Sequence, residues 1–405
     1  MHLVSKKGID IYHEYYIDLK LTRFKTPDTA KIPVGTKEEI ISWNKKIGDR
    51  IKKYDIIAYI TGNIPIYSPF SGVFSKTVIS PKIGDFCEIL YAVISCEEDN
   101  IPSYPICKFE GQLTKDNFIN TVKNAAVFDE KRKDYLCNIF KSDFNFQEIL
   151  IDAFDDEPYN LSKTATVLNF KNEVFEGARI LAKTFNIKKI SLLMGKNFQT
   201  NTFLKKDISE INKITISGKY PTKPIVFDYC EKSNAFQIDA GTCRAIYRAV
   251  FFGEPDTERV VTVWGDSILD PSVSIIPFGV PSEYILKEFC AFGMIERVVS
   301  GGVMTGHVTS LNFPIYKWES SLTVMPLKKH HRTTECIGCG RCAISCPSGL
   351  VPMFLLSSSK NKGICYAKDL CAELCTYCGV CAYVCPSRIP LVDLIKKHKE
   401  EGGEV

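Results

Sequence analysis

Eight cysteines near the end of this 405-residue chain are spaced for binding iron–sulfur clusters. Two segments, CIGCGRCAISCP from Cys336 and CTYCGVCAYVCP from Cys375, share the spacing Cys-x2-Cys-x2-Cys-x3-Cys-Pro. With this spacing, three thiolates bind one [4Fe–4S] cluster and the fourth cysteine binds the cluster of the other motif. The predicted ligand sets are therefore crossed: Cys336, Cys339, Cys342 and Cys385 for the first cluster, and Cys375, Cys378, Cys381 and Cys346 for the second.

The residues between these cysteines favour clusters over zinc. Gly340 and Gly379 each follow the second cysteine of a motif, where the missing side chain lets the loop approach inorganic sulfide. Pro347 and Pro386 fix the backbone after each fourth cysteine. Zinc ribbons are the alternative, but zinc requires neither a third cysteine at the same spacing nor a proline after the fourth. We therefore predict a module that transfers single electrons.

The composition is that of a folded protein with several domains. Hydrophobic residues make up 45% of the chain and charged residues 24%, which is ordinary for a globular protein. No run approaches the roughly 18 apolar residues that a membrane span needs, and the first residues do not resemble a signal peptide. We expect a cytoplasmic location, with peripheral membrane association still compatible, and no disulfide framework among the seventeen cysteines.

The formal net charge of +4 does not indicate a nucleic-acid partner. Eight thiolates around two cluster cores of about +2 each bring the net charge to about zero. Lysines are spread along the chain, without the basic and aromatic stripe of a strand-binding groove. We expect redox proteins as partners, and no nucleic acid.

The elements before the cysteines must position the two clusters. Residues 1–30 look like an irregular lead-in. From Ile32 onward, alternating Ile, Val and Tyr with turns such as Gly62-Asn63 predict short strands and hairpins. This run resembles the barrel-sandwich fold of biotinyl and lipoyl carriers. Its hairpin turn, TGNIP, lacks the lysine of a carrier, so we predict a structural role.

The middle of the chain has the pattern of an α/β unit. Glu148–Phe154 is predicted to be a buried strand, TATVLNFKNEVFEGARILAKTF a helix, and IKKISLLMG a second strand. Between the first strand and the helix lies the loop DDEPYN, Asp155 to Asn160. An acidic loop at the carboxyl end of a strand can contact a ribose or a cofactor edge. A solvated loop that caps the next helix is the alternative, and the spacing alone does not decide between them.

A smaller mixed β/α unit is predicted to follow, and it ends in VVSGGVMTGHV. Its glycines, Gly301, Gly302 and Gly306, do not form a GxGxxG phosphate loop, so a tight turn is the preferred interpretation. His330 and His331 lie in the linker to the cysteines. They either tune the reduction potential of the first cluster, contact a partner or are simply solvated.

The order of these parts resembles the RnfC-type subunits of electron-transport complexes, which are related to the flavin-bearing subunit of respiratory complex I. The resemblance runs from about Pro33 to Val392 and rests on the carrier-like unit, DAFDDEPYN, AIYRAVFFGEPDTERVVTVWGD, SGGVMTGHV and the cysteine motifs. It implies an α+β multidomain fold. The expected parts are a lead-in (1–30), a barrel-sandwich hybrid domain (31–105), a Rossmann-like α/β domain (106–250), an SLBB-type β-grasp domain (251–325) and a bacterial dicluster ferredoxin-like helical tail (326–405).

One departure from that family concerns its cofactor site. In the family, a glycine-rich loop cradles flavin and NADH, but the corresponding stretch here, Asn120 to Leu136, contains no glycine. Without glycine, backbone amides cannot approach a phosphate closely. Asp156, Glu157 and Tyr159 are then the remnant of a cofactor loop. We predict no tight binding of FMN or NADH and little NADH dehydrogenase activity.

This pattern is similar to the proline reductase-associated electron-transfer proteins (PrdC) of amino-acid-fermenting anaerobes. That resemblance implies a relay from an electron donor or Rnf-type complex, through two [4Fe–4S] clusters, to a reductase such as D-proline reductase. The alternatives are a flavin-dependent NADH-oxidising subunit of a membrane ion-translocating complex, or a scaffold subunit. Whether Cys230 and Cys243 form a redox pair stays open, because sequence separation does not establish geometry.

Overall fold

The computed structural model describes residues 1–11, 18–36, 39–80, 88–98, 102, 114–141, 144–196, 211–289, 291, 293, 295–326, 332–355 and 371–401. His330 and His331 lie outside these residues, so their predicted roles stay predictions.

In chain order, the strands of the described residues are β1 (His2–Ser5), β2 (Asp18–Arg23), β3 (Thr29–Thr36), β4 (Ser42–Trp43), β5 (Arg50–Ile51), β6 (Ile56–Ile60), β7 (Ile64–Tyr67), β8 (Gly72–Ile79), β9 (Ile89–Cys96), β10 (Phe128–Asp129), β11 (Asp134–Tyr135), β12 (Glu148–Asp152), β13 (Lys189–Gly195), β14 (Asn212–Gly218), β15 (Ala235–Asp239), β16 (Glu258–Trp264), β17 (Ser272–Pro277), β18 (Ile295–Ser300), β19 (His307–Thr309) and β20 (Ser321–Pro326). The helices are α1 (Lys115–Asn124), α2 (Leu136–Ile139), α3 (Ser162–Thr184), α4 (Lys223–Ser233), α5 (Ala240–Phe252), α6 (Ser282–Glu288), α7 (Arg341–Ile344), the 3-10 turn Ala372–Leu374, α8 (Val380–Tyr383) and α9 (Leu391–Glu401).

A parallel sheet with the strand order β1-β14-β13-β12-β15 forms the centre of the α/β part. Its strands are apolar on both faces because helices cover both sides. Ile149 and Ile151 share an apolar cluster with residues of α3 and α5, whereas Leu150 and Leu193 share another with Val226 of α4. The carboxyl ends of the strands therefore meet at one edge, where such sheets bind ligands.

The N-terminal residues are not the irregular lead-in that the sequence predicted. Strand β1 pairs with β14, with Leu3 opposite Ile216, and β2 pairs with β17. Bonded residues in these two pairings lie 213 and 252 positions apart in the sequence. The prediction failed because short strands are stabilised by pairing with distant segments, which local patterns do not reveal.

A mixed sheet with the order β19-β18-β20-β16-β17-β2 follows the α/β part. Its β18–β19 hairpin contains the glycine-rich segment, in which the backbone N–H of Gly306 donates to the Gly302 carbonyl over 2.9 Å. Gly301 and Gly302 have φ angles of 94° and 123°, which favour glycine. The segment is the tight turn that the sequence predicted.

The β-rich region that begins at Thr29 forms two antiparallel sheets, ordered β3-β9-β8-β5 and β4-β6-β7. Its predicted hairpin is confirmed: β6 and β7 turn at Gly62 and Asn63, whose φ angles of 81° and 57° are both positive. The barrel-sandwich and β-grasp assignments and the five domain boundaries remain predictions.

Candidate metal centres

Both cysteine motifs fold into the same local structure, a loop followed by a one-turn helix. Gly340 precedes α7 with a φ of 71°, and Gly379 precedes α8 with a φ of 80°. Side chains are disfavoured at this left-handed conformation, so glycine is favoured at the turn into each helix. The third cysteines, Cys342 and Cys381, lie in these helices and are buried.

The first cavity contains cysteines from both motifs. Its empty volume, which includes open solvent, is about 360 Å³. The four cysteines around it are Cys336, Cys339, Cys342 and Cys385. Most of the remaining lining is apolar, including Ile337, Met353, Ile389 and Leu391. The structure thus brings together the residues that were predicted to bind the first cluster, including the fourth cysteine of the other motif.

The second cavity has the reciprocal composition and an empty volume of about 340 Å³. The four cysteines around it are Cys346, Cys375, Cys378 and Cys381. Leu350, Val392 and Ile395 are among its apolar lining residues. Helices α7 and α8 pack against each other, so the end of each motif lies next to the cavity of the other.

The cysteines differ in exposure. Cys336 and Cys339 are exposed, whereas Cys346 is buried. Burial raises the pKa of the Cys378 thiol, and it raises the pKa of Cys381 to about 12. These thiols would stay protonated at neutral pH without a nearby cation, so binding to iron would displace their protons.

The donor set fits an iron–sulfur cluster. Four sulfur ligands in apolar surroundings are the usual protein environment of a [4Fe–4S] core. Within the described residues, no group of three or more His, Cys, Asp or Glu side chains is arranged to hold a single metal ion. Four thiols around a cavity suit a cubane, because each thiolate binds a different iron.

The DDEPYN loop lies at the carboxyl end of β12, but its first acidic residues are bonded within the protein. Asp155 accepts hydrogen bonds from the backbone N–H groups of Lys163 and Thr164, at 3.0 and 2.9 Å, in the first turn of α3. The helix-capping interpretation is therefore correct for Asp155. Asp156 Oδ1 accepts hydrogen bonds from the backbone and the hydroxyl of Thr222, at 2.8 and 2.7 Å.

Tyr159, the last residue predicted to contact a cofactor, packs against the mixed sheet. Its ring stacks on Trp264 with 3.7 Å between the ring centroids and an interplanar angle of 18°. This face of the Tyr159 ring is thus covered by the protein itself.

Glu157 and Tyr220 lie where the parallel sheet, the glycine-rich turn and the cysteine tail meet. The Glu157 carboxylate accepts hydrogen bonds from the backbone N–H of Met304, at 3.2 Å, and from the Thr305 hydroxyl. The Tyr220 hydroxyl lies 3.3 Å from Glu157 Oε1 and donates to the Cys378 carbonyl over 2.9 Å. Burial raises the pKa of Glu157. No sequence motif marked Tyr220, and the motif SGGVMTGHV, which contains Met304, did not reveal its contact with Glu157, because both roles depend on distant segments.

A wide cavity lies at the carboxyl edge of the parallel sheet, with an empty volume of about 1610 Å³ that includes open solvent. The turn between β10 and β11, within the stretch that lacks glycine, contributes Glu130 and Lys131 to its lining. Burial raises the pKa of Glu130 to about 8. Lys163, which sequence analysis did not single out, also lines the cavity and forms a 2.6 Å ion pair with Asp152. Charged side chains therefore occupy this wall.

Cys230 and Cys243 do not form a disulfide. Both are free thiols. Cys230 packs with the apolar cluster that includes α4, whereas Cys243 is buried in the cluster on the other face of the parallel sheet. The sheet separates the two thiols.

Among the helices of the described residues, none combines the length and the apolar character that a bilayer crossing requires.

Sequence comparison supports the cysteine assignment and the wider resemblance. A 4Fe-4S dicluster domain family matches residues 335–389. The chain is 27% identical over 379 residues to the C subunit of the ion-translocating oxidoreductase complex of Buchnera aphidicola subsp. Baizongia pistaciae, covering 85% of this chain and 73% of that protein. It is also 27% identical over 360 residues to the proteins of the same name from two Vibrio cholerae serotype O1 strains. That alignment covers 81% of this chain and 46% of each Vibrio protein, so the chain spans about half their length.

Solved structures give a weaker similarity. Two crystal structures of NAD+-reducing [NiFe]-hydrogenase, in the air-oxidized and H2-reduced states, align with TM-scores of 0.43 and 0.45 and with 11% and 13% identity. Each alignment covers 71% of this chain, and 54% and 62% of the respective hydrogenase chains. These scores are too low to transfer a function.

The fold and the domain match define a mixed α/β multidomain iron–sulfur electron-transfer protein with a 4Fe-4S dicluster domain. Its curated relatives are the C subunits of ion-translocating oxidoreductase complexes, which supports an RnfC-like chain.

Proposed function

We propose that this chain is an RnfC-type subunit that passes single electrons through two [4Fe–4S] clusters to a protein partner. The observation that carries the proposal is the pair of cavities, each lined by four cysteines and each including the fourth cysteine of the other motif. When bound, the clusters supply the one-electron chemistry. The cysteines hold them in a largely apolar lining.

The relatives favour a role within an ion-translocating complex over a dedicated carrier to D-proline reductase. They are named as subunits of such a complex, and the similarity extends over most of this chain. D-proline reductase, implied by the resemblance to PrdC, is the second candidate acceptor. The hydrogen bonds that occupy Asp155 and Asp156 support this relay, in which the chain receives its electrons from another protein rather than from its own flavin.

Two features support the proposal that FMN and NADH do not bind tightly: the charged wall of the wide cavity, and the hydrogen bonds within the protein that occupy the DDEPYN loop. Side chains rather than glycine amides line the turn at Glu130 and Lys131, so backbone N–H groups cannot cradle a phosphate there. The wide cavity at the carboxyl edge is the observation that favours the alternative, a flavin-dependent NADH-oxidising subunit, because nucleotides bind at such edges.

Metal and flavin analysis of anaerobically purified protein tests these proposals. We expect roughly eight irons and eight sulfides per chain, with no stoichiometric flavin and little NADH-dependent dye reduction. Stoichiometric zinc with little iron would overturn the cluster assignment. Tightly bound FMN, or micromolar NADH affinity by calorimetry, would instead establish the flavoenzyme. Co-purification with a soluble reductase, rather than with membrane subunits, would favour the carrier.

A further inference from the structure

A groove crosses the surface of the cysteine tail beside the first cavity. Its lining residues include Arg341, Ile344, Tyr383, Cys385, Arg388 and Pro390. Cys385 also lines the first cysteine cavity. A molecule in this groove, called here the arginine groove, would therefore be separated from the first cluster by a single cysteine residue.

The centre of the arginine groove is apolar and open to solvent. Ile344 in α7 is 82% exposed and Tyr383 in α8 is 69% exposed. Both lie two positions after the third cysteine of their motif, and the helices that carry them are in contact. Adjacent large apolar side chains on a surface mark a contact site more often than isolated ones do.

The charge around this apolar centre has one sign. Arg341 and Arg388 are both exposed, and no acidic residue of the described chain lines the groove. Guanidinium groups bind carboxylates in bidentate geometry. Two exposed arginines flanking an apolar centre therefore complement a surface with acidic residues around an apolar centre.

The second cavity has no comparable open surface where it meets the rest of the protein. Tyr220 donates to the Cys378 carbonyl there, and a Cβ atom on Gly379 would lie 2.5 Å from the Met304 carbonyl oxygen. At Gly340, the matching position beside the first cavity, a Cβ atom would meet nothing within 4 Å. The first cavity is thus accessible to a protein that approaches from solvent, whereas the second cavity faces the α/β part.

We propose that the arginine groove docks an acidic one-electron carrier protein. The proposal rests on the proposed function, because it needs a redox-active first cluster. Carboxylates of the carrier pair with Arg341 and Arg388, and its apolar centre covers Ile344 and Tyr383. One electron leaves the reduced first cluster and reduces the carrier's oxidised cofactor by one electron, and no bond is broken. A small, transient interface is typical of such redox encounters.

Stopped-flow oxidation of the holoprotein tests the docking site. The anaerobic protein is reduced with dithionite, desalted and mixed with an acidic flavodoxin in the oxidised state, and semiquinone formation is followed. Charge steers association strongly at low ionic strength, so we expect Arg341→Glu/Arg388→Glu to slow the second-order rate by roughly tenfold or more. The variant should also lose most of the salt dependence. Ile344→Ser should slow the rate by a smaller factor.

A matched control separates this effect from net charge. Lys188 and Lys213 are exposed just before β13 and at the start of β14, at the opposite end of the parallel sheet from Tyr220. Lys188→Glu/Lys213→Glu changes the net charge by the same amount as the groove variant and should leave the rate within roughly twofold of the wild type. Oxidation of each variant by methyl viologen, together with its iron content, reports on the clusters themselves. Missing clusters in the wild type would defeat the proposed function.

Intact clusters with normal viologen rates, but an unchanged flavodoxin rate in the double variant, would overturn the docking proposal alone. Co-sedimentation with phosphatidylglycerol vesicles, lost in the double variant while the flavodoxin rate is unchanged, would assign the groove to a membrane instead.

Discussion

The two cysteine cavities are similar in composition and different in surroundings. Each is lined by four cysteines, and their empty volumes are about 360 and 340 Å³. The first has Cys336 and Cys339 exposed, whereas the second packs against the α/β part through Tyr220. Solvent exposure and nearby hydrogen bonds tune cluster potentials. A repeated motif can therefore produce two non-equivalent clusters, one suited to exchange with a partner and one directed toward the protein interior.

The largest expected effect comes from removing a fourth ligand. If the ligand sets cross, Cys385→Ala damages the first cluster and should leave roughly four irons per chain. Its spectrum in the reduced state should then match that of Cys339→Ala, and the spectrum of Cys346→Ala should match that of Cys378→Ala. Electron paramagnetic resonance of the four variants makes the comparison. Equivalence of Cys385→Ala and Cys378→Ala would show that each motif holds its own cluster.

The first cluster should be lost sooner than the second when the holoprotein meets an oxidant and an iron chelator. Cys336 and Cys339 are exposed, so water and small reagents reach this site more readily. We expect the first cluster's resonance to decay several-fold faster, with Cys339→Ala and Cys378→Ala assigning the two signals. Equal decay rates would mean that exposure of the ligands does not control lability.

Alanine at the two motif glycines should distinguish the packed side of the tail from the open side. Gly340→Ala and Gly379→Ala both place a side chain at positive φ, which costs about 1–2 kcal/mol. Gly379→Ala adds a clash with the Met304 carbonyl, and overpacking of this kind costs a further ~1–3 kcal/mol. Urea unfolding of the anaerobic holoprotein measures the free energy of unfolding. Equal losses for the two variants would show that the Met304 contact does not constrain the tail.

Tyr220→Phe should produce the smallest of these effects, and only at the second cluster. Removing the hydroxyl that donates to the Cys378 carbonyl over 2.9 Å forfeits about 1 kcal/mol of stability. Only the part that differs between the two redox states shifts the potential, so the shift should be smaller than about 40 mV for one electron. The potential of the second cluster should fall, because a hydrogen-bond donor beside it is lost. Tyr229→Phe is the control, since that hydroxyl donates to Glu148 instead. A redox titration that shows equal shifts at both clusters would contradict the assignment.

Much of the α/β part was predictable because its patterns are local. Buried strands such as β12 and the long helix α3 appear as apolar runs and helical spacing. The roles of DDEPYN were not predictable from spacing. Asp155 caps a helix, Asp156 binds Thr222 and Glu157 binds the glycine-rich turn, and two of these three partners lie far along the chain.

The sequence by itself determined the chemistry of the tail. Three cysteines within seven residues, with Gly340 or Gly379 at positive φ, favour the loop of each motif through local geometry. Only the tertiary structure decided the surroundings of each cavity. Tyr220 is 158 residues from Cys378 in the sequence, and their contact depends on how the tail packs on the parallel sheet. Ligand spacing is a property of a few neighbouring residues, whereas burial and docking depend on segments that meet only after folding.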